Sequence, residues 1–182
     1  MNDKAEKVYA DAFFTLCLEE TPDTLKNTLG ELSALDGIFR EQPDFVKLLG
    51  TPTVTMDEKL GMIKDIIADG VSEYTGNLLC VLTERGRMGC FSGIVKNFRA
   101  LYNEHFRIAE ITVTASAPLP ESVREKIAAK MSEVTGKTVS TKEKVDPSII
   151  GGVVIDYGST RYDGSVRTRL NELKKELGGV IA

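Results

Sequence analysis

Residues 146–169 read DPSIIGGVVIDYGSTRYDGSVRTR, and this stretch decides the fold of the C-terminal part of the chain. The run GGVVI at 151–155 is rich in β-branched residues, which favours a strand. Gly158 and Ser159 supply a turn, so that residues 161–163 can return as a second, paired strand. The pattern therefore predicts a β-hairpin.

Two adjacent glycines, Gly151 and Gly152, open the predicted hairpin. Such a pair is typical of backbone with positive φ, or of a place where another backbone segment approaches closely, because a side chain would obstruct both. Downstream, Asp163, Gly164 and Ser165 precede a helical pattern. Ser165 is a good N-cap, and Asp163 places negative charge beside the exposed amide groups of the first turn. We therefore expect these five residues to form the structural motif that joins the hairpin to a terminal helix.

The terminal helix carries an apolar stripe and a set of basic residues. The stripe follows helical spacing and consists of Val166, Leu170, Leu173 and Leu177. Opposite it we place the basic residues Arg167, Arg169, Lys174 and Lys175. A solvated surface is the ordinary explanation of such residues, and a docking face for an acidic or amphipathic partner helix is the functional alternative.

The composition is that of a globular protein. The chain has 182 residues and 19.9 kDa, with 42% hydrophobic and 27% charged residues, which suffices for one ordinary core or two small ones.

No window approaches the roughly 18 consecutive apolar residues of a membrane span. The opening MNDKAEK lacks the form of a signal or transit peptide. The net charge of −4 argues against nucleic-acid binding, which ordinarily uses a basic face. We therefore expect neither direct membrane insertion nor a nucleic-acid partner.

Residues 1–107 contain consecutive amphipathic segments. Apolar residues recur at helical spacing in each segment, and short polar or glycine-containing breaks separate them. Thr55 and Glu58 have the spacing of a capping box, Ser72 is a candidate N-cap, and Gly86 suits a left-handed C-terminal position. Because none of these segments can bury its apolar stripe alone, we predict an all-α bundle of six helices.

The hydrophobic period changes at residue 108. Apolar and polar residues alternate from 111 to 115, as in a half-buried strand. A helical pattern follows at 120–136, and a polar stretch at 139–145 is typical of an edge strand. Together with the hairpin and the terminal helix, these elements predict a small α+β domain over residues 108–182.

Residue types that carry catalysis are sparse. His105 is the only histidine, and in the absence of a nucleophile motif such as GxSxG it is better explained as a surface or helix-capping residue. Cys17, Cys80 and Cys90 have no CxxC spacing and fall in apolar segments, so we interpret them as reduced core thiols. One histidine without a close cysteine pair disfavours a zinc site. We therefore predict no catalytic residue, no metal site and no cofactor.

The first and fifth predicted helices contain a candidate binding groove. If Tyr9, Ala12 and Phe13 lie beside Val81 and Leu82, the small side chain of Ala12 leaves space that an amphipathic partner helix can fill. An internal core role for the same residues is equally compatible with their periodicity. Periodicity alone leaves both interpretations open.

Four segments, in order along the chain, resemble the delta subunit of F-type ATP synthases, a family that includes the oligomycin-sensitivity-conferral protein of mitochondria. YADAFF at 9–14 resembles the family's YAxALF opening, and NLLCVLTERGR at 77–87 resembles its NxLxxLxENGR segment. VTASAPL at 113–119 resembles its VxSAxPL strand. DPSIIGG and DGSVRTRL, within 146–170, resemble its C-terminal signature, with Ile149–Ile150 where leucine is more usual.

The resemblance implies a non-enzymatic stator adaptor, and the missing transit peptide favours the bacterial type. In that family the N-terminal bundle, here 1–107, captures the N-terminal helix of an alpha subunit of the catalytic head between its first and fifth helices. The C-terminal domain, here 108–182, holds the b subunits of the peripheral stalk. The implied location is the cytoplasmic face of the cell membrane, as a peripheral part of the complex. The residues themselves leave two alternatives, a small enzyme of unrecognised type and a helical nucleic-acid-binding module.

Overall fold

The computed structural model of the chain describes residues 2–20, 22–51, 54–68 and 70–180. The chain divides into two compact units, residues 1–102 and 103–182. The first unit is helical, and the second contains a small mixed sheet with helices. The prediction of a helical N-terminal region followed by a small domain of helices and strands is thus confirmed.

Within the described residues, six α-helices make up the N-terminal part of the chain. They are α1 (Asn2–Leu18), α2 (Pro22–Glu41), α3 (Pro43–Gly50), α4 (Met56–Ala68), α5 (Glu73–Glu84) and α6 (Phe91–His105). A short 3-10 turn, Met88–Cys90, precedes α6. That the six helices form a single bundle stays a prediction.

Helix boundaries follow the capping residues that the sequence contains. The amide of Thr55 donates to Glu58 Oε2 at 3.0 Å, and the amide of Glu58 donates to Thr55 Oγ1 at 3.4 Å, which is the reciprocal capping box. Ser72 Oγ accepts from the amide of Thr75 at the start of α5. Gly86 follows α5 with φ of +63°, where a side chain would be strained. The predicted caps at these three places are confirmed.

Aromatic side chains form the centre of the N-terminal unit. The fully buried ring of Phe98 lies 5.6 Å from the ring of Phe13 and 5.5 Å from that of Phe14, measured between centroids. A second contact joins Phe39 of α2 to Phe91 of α6 at 5.0 Å. Offset and edge contacts of this kind add to the free energy gained by burying the rings. Helix α6 therefore supplies the aromatic residues on which α1 and α2 pack.

The C-terminal unit is a four-stranded sheet with two helices, counted over the described residues. Its elements are β1 (Ile108–Ala115), α7 (Glu121–Thr135), β2 (Thr138–Val145), β3 (Val153–Tyr157), β4 (Thr160–Asp163) and α8 (Val166–Val180). The strand order is β2-β1-β3-β4, and β1 pairs in parallel with β2 and antiparallel with β3. A parallel pair needs a crossover, which α7 supplies. Ile111 and Val113 of β1 pack with Met131 of α7 in the core, and β2 lies at the predicted edge.

Candidate partner-binding surfaces

Helix α1 has apolar residues on its outer side as well as on its buried side. Val8 is 65% exposed and Leu16 is 47% exposed, and the small Ala12 lies between them on the exposed surface. A spacing of four residues places these three side chains along one side of a helix. We call them the outer stripe of α1. Nothing among the described residues covers it.

Three of the predicted groove residues are at least partly exposed. Ala12 belongs to the outer stripe, and Val81 of α5 is 42% exposed. Tyr9 is partly buried, and the guanidinium of Arg87, which follows α5, lies 5.6 Å from the centre of its ring. That contact is a cation–π interaction. It brings the segment after α5 next to the first half of α1.

The other two predicted groove residues lie in the core. Leu82 is fully buried, and Phe13 is 7% exposed because its ring packs on Phe98. A partner that docks on this structure can therefore reach Ala12 and Val81, and it cannot reach Leu82. Val8 and Leu16 are surface residues that were not predicted. The available signal was their helical phase, because the stripe at 8, 12 and 16 lies on a different side of α1 from the buried Phe13, Phe14 and Cys17.

A cleft of about 410 Å³ lies between α2, α3 and the residues that precede α5. Apolar side chains such as Leu35 and Ile38 line it together with Glu31. The carboxylate of Glu31 accepts hydrogen bonds from Ser72 Oγ and Thr75 Oγ1, both at 2.6 Å. These two bonds fix the start of α5 to α2, which gives Glu31 a structural role.

The paired glycines of the C-terminal motif bring two backbone segments together. Gly152 has φ of +76°, and a Cβ there would overlap the carbonyl oxygen of Gly164. The amide of Gly164 donates to the carbonyl of Val153, and the amide of Val166 donates to the carbonyl of Gly151, both at 3.0 Å. The predicted strand start at Gly151 is wrong, since β3 begins at Val153. The conformation of Gly152 is incompatible with a strand.

The first turn of α8 is capped by two side chains. Ser165 is 2% exposed, and its Oγ accepts from the amide of Thr168 at 3.2 Å. Asp163 Oδ1 accepts from the amide of Ser165, and Asp163 Oδ2 accepts from Thr168 Oγ1, both at 2.9 Å. The hydrogen bonds from Ser165 lower the pKa of the Asp163 carboxyl, because they stabilise its charged form. The motif thus holds the N-terminus of α8 from both sides.

The apolar stripe of α8 is exposed. The exposed fractions are 40% for Val166, 50% for Leu170, 54% for Leu173 and 65% for Leu177. At roughly 100° per residue, Arg167, Arg169 and Lys174 flank this stripe. The prediction that all four basic residues lie opposite the stripe is wrong, because only Lys175 does so.

Ile150 lies in an unusual conformation beside α8. Its φ is +70°, a region that β-branched residues rarely adopt and that costs about 1–3 kcal/mol. Its side chain is 62% exposed, whereas that of Ile149 is buried. The next residue, Gly151, binds the amide of Val166. The exposed Ile150 thus immediately precedes the residue that binds the start of α8.

The candidate catalytic residues have ordinary surroundings. His105 is exposed, and its ring contacts the edge of Phe106 at 4.9 Å. Cys17 and Cys90 are buried, and burial raises the pKa of the Cys17 thiol, which disfavours the reactive thiolate. Cys80 is only partly buried. In the part of the chain that the structure describes, no cluster of three or more His, Cys, Asp or Glu side chains is placed to hold a metal ion.

None of the described helices is both long enough and apolar enough to cross a membrane.

The chain is similar to subunits of ATP synthases over nearly its whole length. The family model described as the ATP synthase delta (OSCP) subunit matches residues 5–177. The ATP synthase subunit delta of Anaeromyxobacter sp. (strain Fw109-5) is 34% identical, in an alignment covering 93% of this chain and 94% of that protein. The chloroplastic ATP synthase subunit delta of Emiliania huxleyi is 33% identical, covering 94% of this chain and 95% of that protein.

A mitochondrial subunit and a solved structure are also similar to this chain. The mitochondrial ATP synthase subunit O of Ipomoea batatas is 32% identical, covering 93% of this chain and 70% of that protein. A chain in the cryo-EM structure of the Toxoplasma gondii mitochondrial ATP synthase hexamer matches with a TM-score of 0.71. That match covers 94% of this chain and 96% of the other, at 22% sequence identity, so it demonstrates a common fold.

Proposed function

Because the chain belongs to the ATP synthase delta (OSCP) subunit family, we propose that it links the alpha subunits of the catalytic head to the b subunits of the peripheral stalk. The chain is a stator component and is not an enzyme. A rotary synthase makes ATP only if its head resists the drag of the turning rotor. The proposed link supplies that resistance, so that ion flow through the membrane subunits is coupled to ATP synthesis.

The N-terminal unit takes the catalytic head as its partner. In this proposal its six helices form one bundle over residues 1–107, and the N-terminal helix of an alpha subunit docks between α1 and α5. The exposed outer stripe of α1 and the exposed Val81 of α5 support this site, because each offers apolar area to an amphipathic helix. Ala12 provides the space for its close approach.

The C-terminal unit takes the stalk as its partner. The b subunits dock on residues 108–182 through α8, whose apolar stripe is exposed from Val166 to Leu177. Basic residues beside the stripe, Arg167, Arg169 and Lys174, add attraction for acidic side chains. This pair of exposed apolar surfaces, one on each unit, is the observation that carries the proposal.

Two separate contacts suit a link that bears torque. Buried apolar area slows dissociation at each site. Because both sites belong to one chain, a partner that leaves one site stays at high effective concentration while the other site holds. The link therefore persists through many rotor turns, although the chain performs no chemistry.

The cellular setting belongs to the proposal as well. We assign the chain to a peripheral position at the cytoplasmic face of the cell membrane, as part of the assembled synthase. The bacterial origin predicted above is also a proposal, because the relatives come from bacteria, a chloroplast and a mitochondrion. Fractionation of the native host, followed by immunodetection of the chain, tests both statements.

Affinity purification of the native complex tests the function. The full chain with an affinity tag should isolate alpha and b subunits together. A chain that lacks residues 165–182 should retain alpha and lose b. The full-length double variant Leu170→Glu, Leu173→Glu should give the same result, which separates loss of the contact from loss of the helix. Failure of the wild-type chain to bring down either subunit would refute the proposal.

A further inference from the structure

Helix α8 has no packed side among its described side chains. From Val166 to Leu177 every residue except Thr168 is exposed, including the four residues of the apolar stripe. Helices of this length are marginal in water, and in proteins their stability comes mostly from packing an apolar face. The apolar face of α8 is therefore available to another helix.

The spacing of the stripe is that of a coiled-coil seam. Its residues are separated by four, three and four positions, so they occupy the d, a, d and a positions of a heptad repeat. A helix with this repeat packs side by side with a second helix that carries the same repeat. The stripe thus fits a second helix that packs alongside it.

The flanking positions determine which helix fits. Arg167 and Lys174 occupy e positions, and Arg169 and Glu176 occupy g positions. In a parallel pair of α8 helices, Arg169 of one copy would face Lys174 of the other. Like charges across the seam disfavour such a pair, whereas acidic side chains on a partner helix favour association. The flanks therefore disfavour a parallel pair of α8 helices and favour a partner helix with acidic flanks.

Ile150 extends the apolar surface at the N-terminal end of the seam. Its side chain is 62% exposed and lies one residue from Gly151, which contacts Val166. A β-branched residue with positive φ is strained, and strain of this kind is often retained where a side chain must be held in place for binding. This exposed, strained position makes Ile150 the residue that we assign as the anchor.

We propose that α8 forms a short heterotypic coiled coil with an amphipathic helix that has an aliphatic seam and acidic flanks, anchored at one end by Ile150. This inference rests on the proposed function in one respect, because in the proposed function the b subunit of the stalk supplies the partner helix. The contact depends on charge as well as on apolar area. Raised salt therefore weakens it.

Charge reversal in the full-length chain tests whether the basic residues beside the stripe contribute to binding. The triple variant Arg167→Glu, Arg169→Glu, Lys174→Glu should bind purified b subunits about tenfold more weakly than the wild type, since each exposed pair contributes modestly. Lys175→Glu is the matched control, because Lys175 points away from the seam, and its affinity should stay within about twofold. Equal affinities for the triple variant and the wild type would overturn the inference while leaving the proposed function intact.

Synthetic helices separate the two proposals. Two peptides of about three heptads carry leucine at a and d, one with glutamate and the other with lysine at e and g. The wild-type chain should bind the glutamate peptide and not the lysine peptide, and the triple variant should reverse this preference. If the glutamate peptide binds and b does not, the proposed function fails and the inference stands. Failure of the wild-type chain to prefer the glutamate peptide would overturn the inference.

Glycine at position 150 tests the anchor. Ile150→Gly relieves the positive φ, so the thermal midpoint of the chain should not fall, while affinity for the b subunit should fall by about fivefold. Arg107→Gly is the control, because Arg107 also has positive φ (+50°) and lies outside the seam. Unchanged affinity of Ile150→Gly would remove Ile150 from the interface.

Discussion

The backbone of Gly152 lies directly against the carbonyl of Gly164. No side chain fits between them, and Gly152 also has φ of +76°. Hydrogen bonds on either side, from Gly164 to Val153 and from Val166 to Gly151, hold the two segments together. This contact attaches the start of α8 to the start of β3, and with it the surface that we assign to the stalk.

Gly152→Ala should destabilise the C-terminal unit by about 2–4 kcal/mol, because the substitution combines backbone strain with a clash against the fixed carbonyl of Gly164. Gly158→Ala is the matched control. Gly158 has φ of +58° with open space around it, so strain alone should cost about 1–2 kcal/mol. Hydrogen exchange of the β1 and β3 amides under native conditions measures both losses in this unit. Equal losses would show that the Gly164 contact contributes nothing.

Acid should weaken the cap of α8. The pKa of Asp163 is lowered in the folded chain, chiefly by the hydrogen bonds from Ser165. The unfolded chain therefore binds a proton more readily at low pH, so this stabilisation is complete above the ordinary aspartate pKa of about 4 and declines as the pH falls below it. Asp163→Asn should lower stability more at pH 7 than at pH 3. An equal effect at the two pH values, measured by urea unfolding, would contradict this explanation.

Substitution of a core residue should lower stability, whereas substitution of a surface residue of α1 should lower only binding. Phe98→Ala should destabilise the N-terminal unit by about 3–5 kcal/mol, because the ring is fully buried against Phe13 and Phe14. Leu16→Ala should change stability by less than about 0.5 kcal/mol. It should nevertheless weaken binding of an alpha-subunit N-terminal peptide. Thermal melting and calorimetric titration of the same samples provide the two measurements.

A larger side chain at position 12 should block the proposed head site. Ala12→Leu should weaken the alpha peptide by about tenfold, because it fills the space between Val8 and Leu16. Both residues favour helices, so the fold should not change. Asp11→Ala, an exposed neighbour outside the outer stripe, serves as control. Unchanged affinity of Ala12→Leu by calorimetry would exclude this site.

Local structural features could be predicted from the sequence where they depend only on neighbouring residues in the chain. The Thr55–Glu58 capping box and the turn at Gly86 need only residues a few positions apart, and both occur as predicted. The polar composition of β2 also identified an edge strand. Such features are set by backbone geometry, which the sequence specifies locally.

The solvent exposure of side chains could not be predicted from the sequence in the same way. Periodicity shows which side chains share one side of a helix, but it does not show what covers that side. Leu82 and Val81 are adjacent in sequence, yet the first is fully buried and the second is 42% exposed. The exposure and positive φ of Ile150, and the contact between Gly152 and the carbonyl of Gly164, were likewise not predictable from neighbouring residues. These parts of the candidate sites required the structure.

The central position of β1 has a consequence for biosynthesis. Its two neighbours, β2 and β3, are both encoded downstream, so one edge of β1 stays open until Val145 has been added, and the other stays open until Tyr157 has been added. Until then the nascent chain carries an apolar strand with at least one open edge, which is prone to stick to other chains. Premature termination between residues 115 and 153 should therefore yield an aggregating fragment, and such products are natural clients of holdase chaperones.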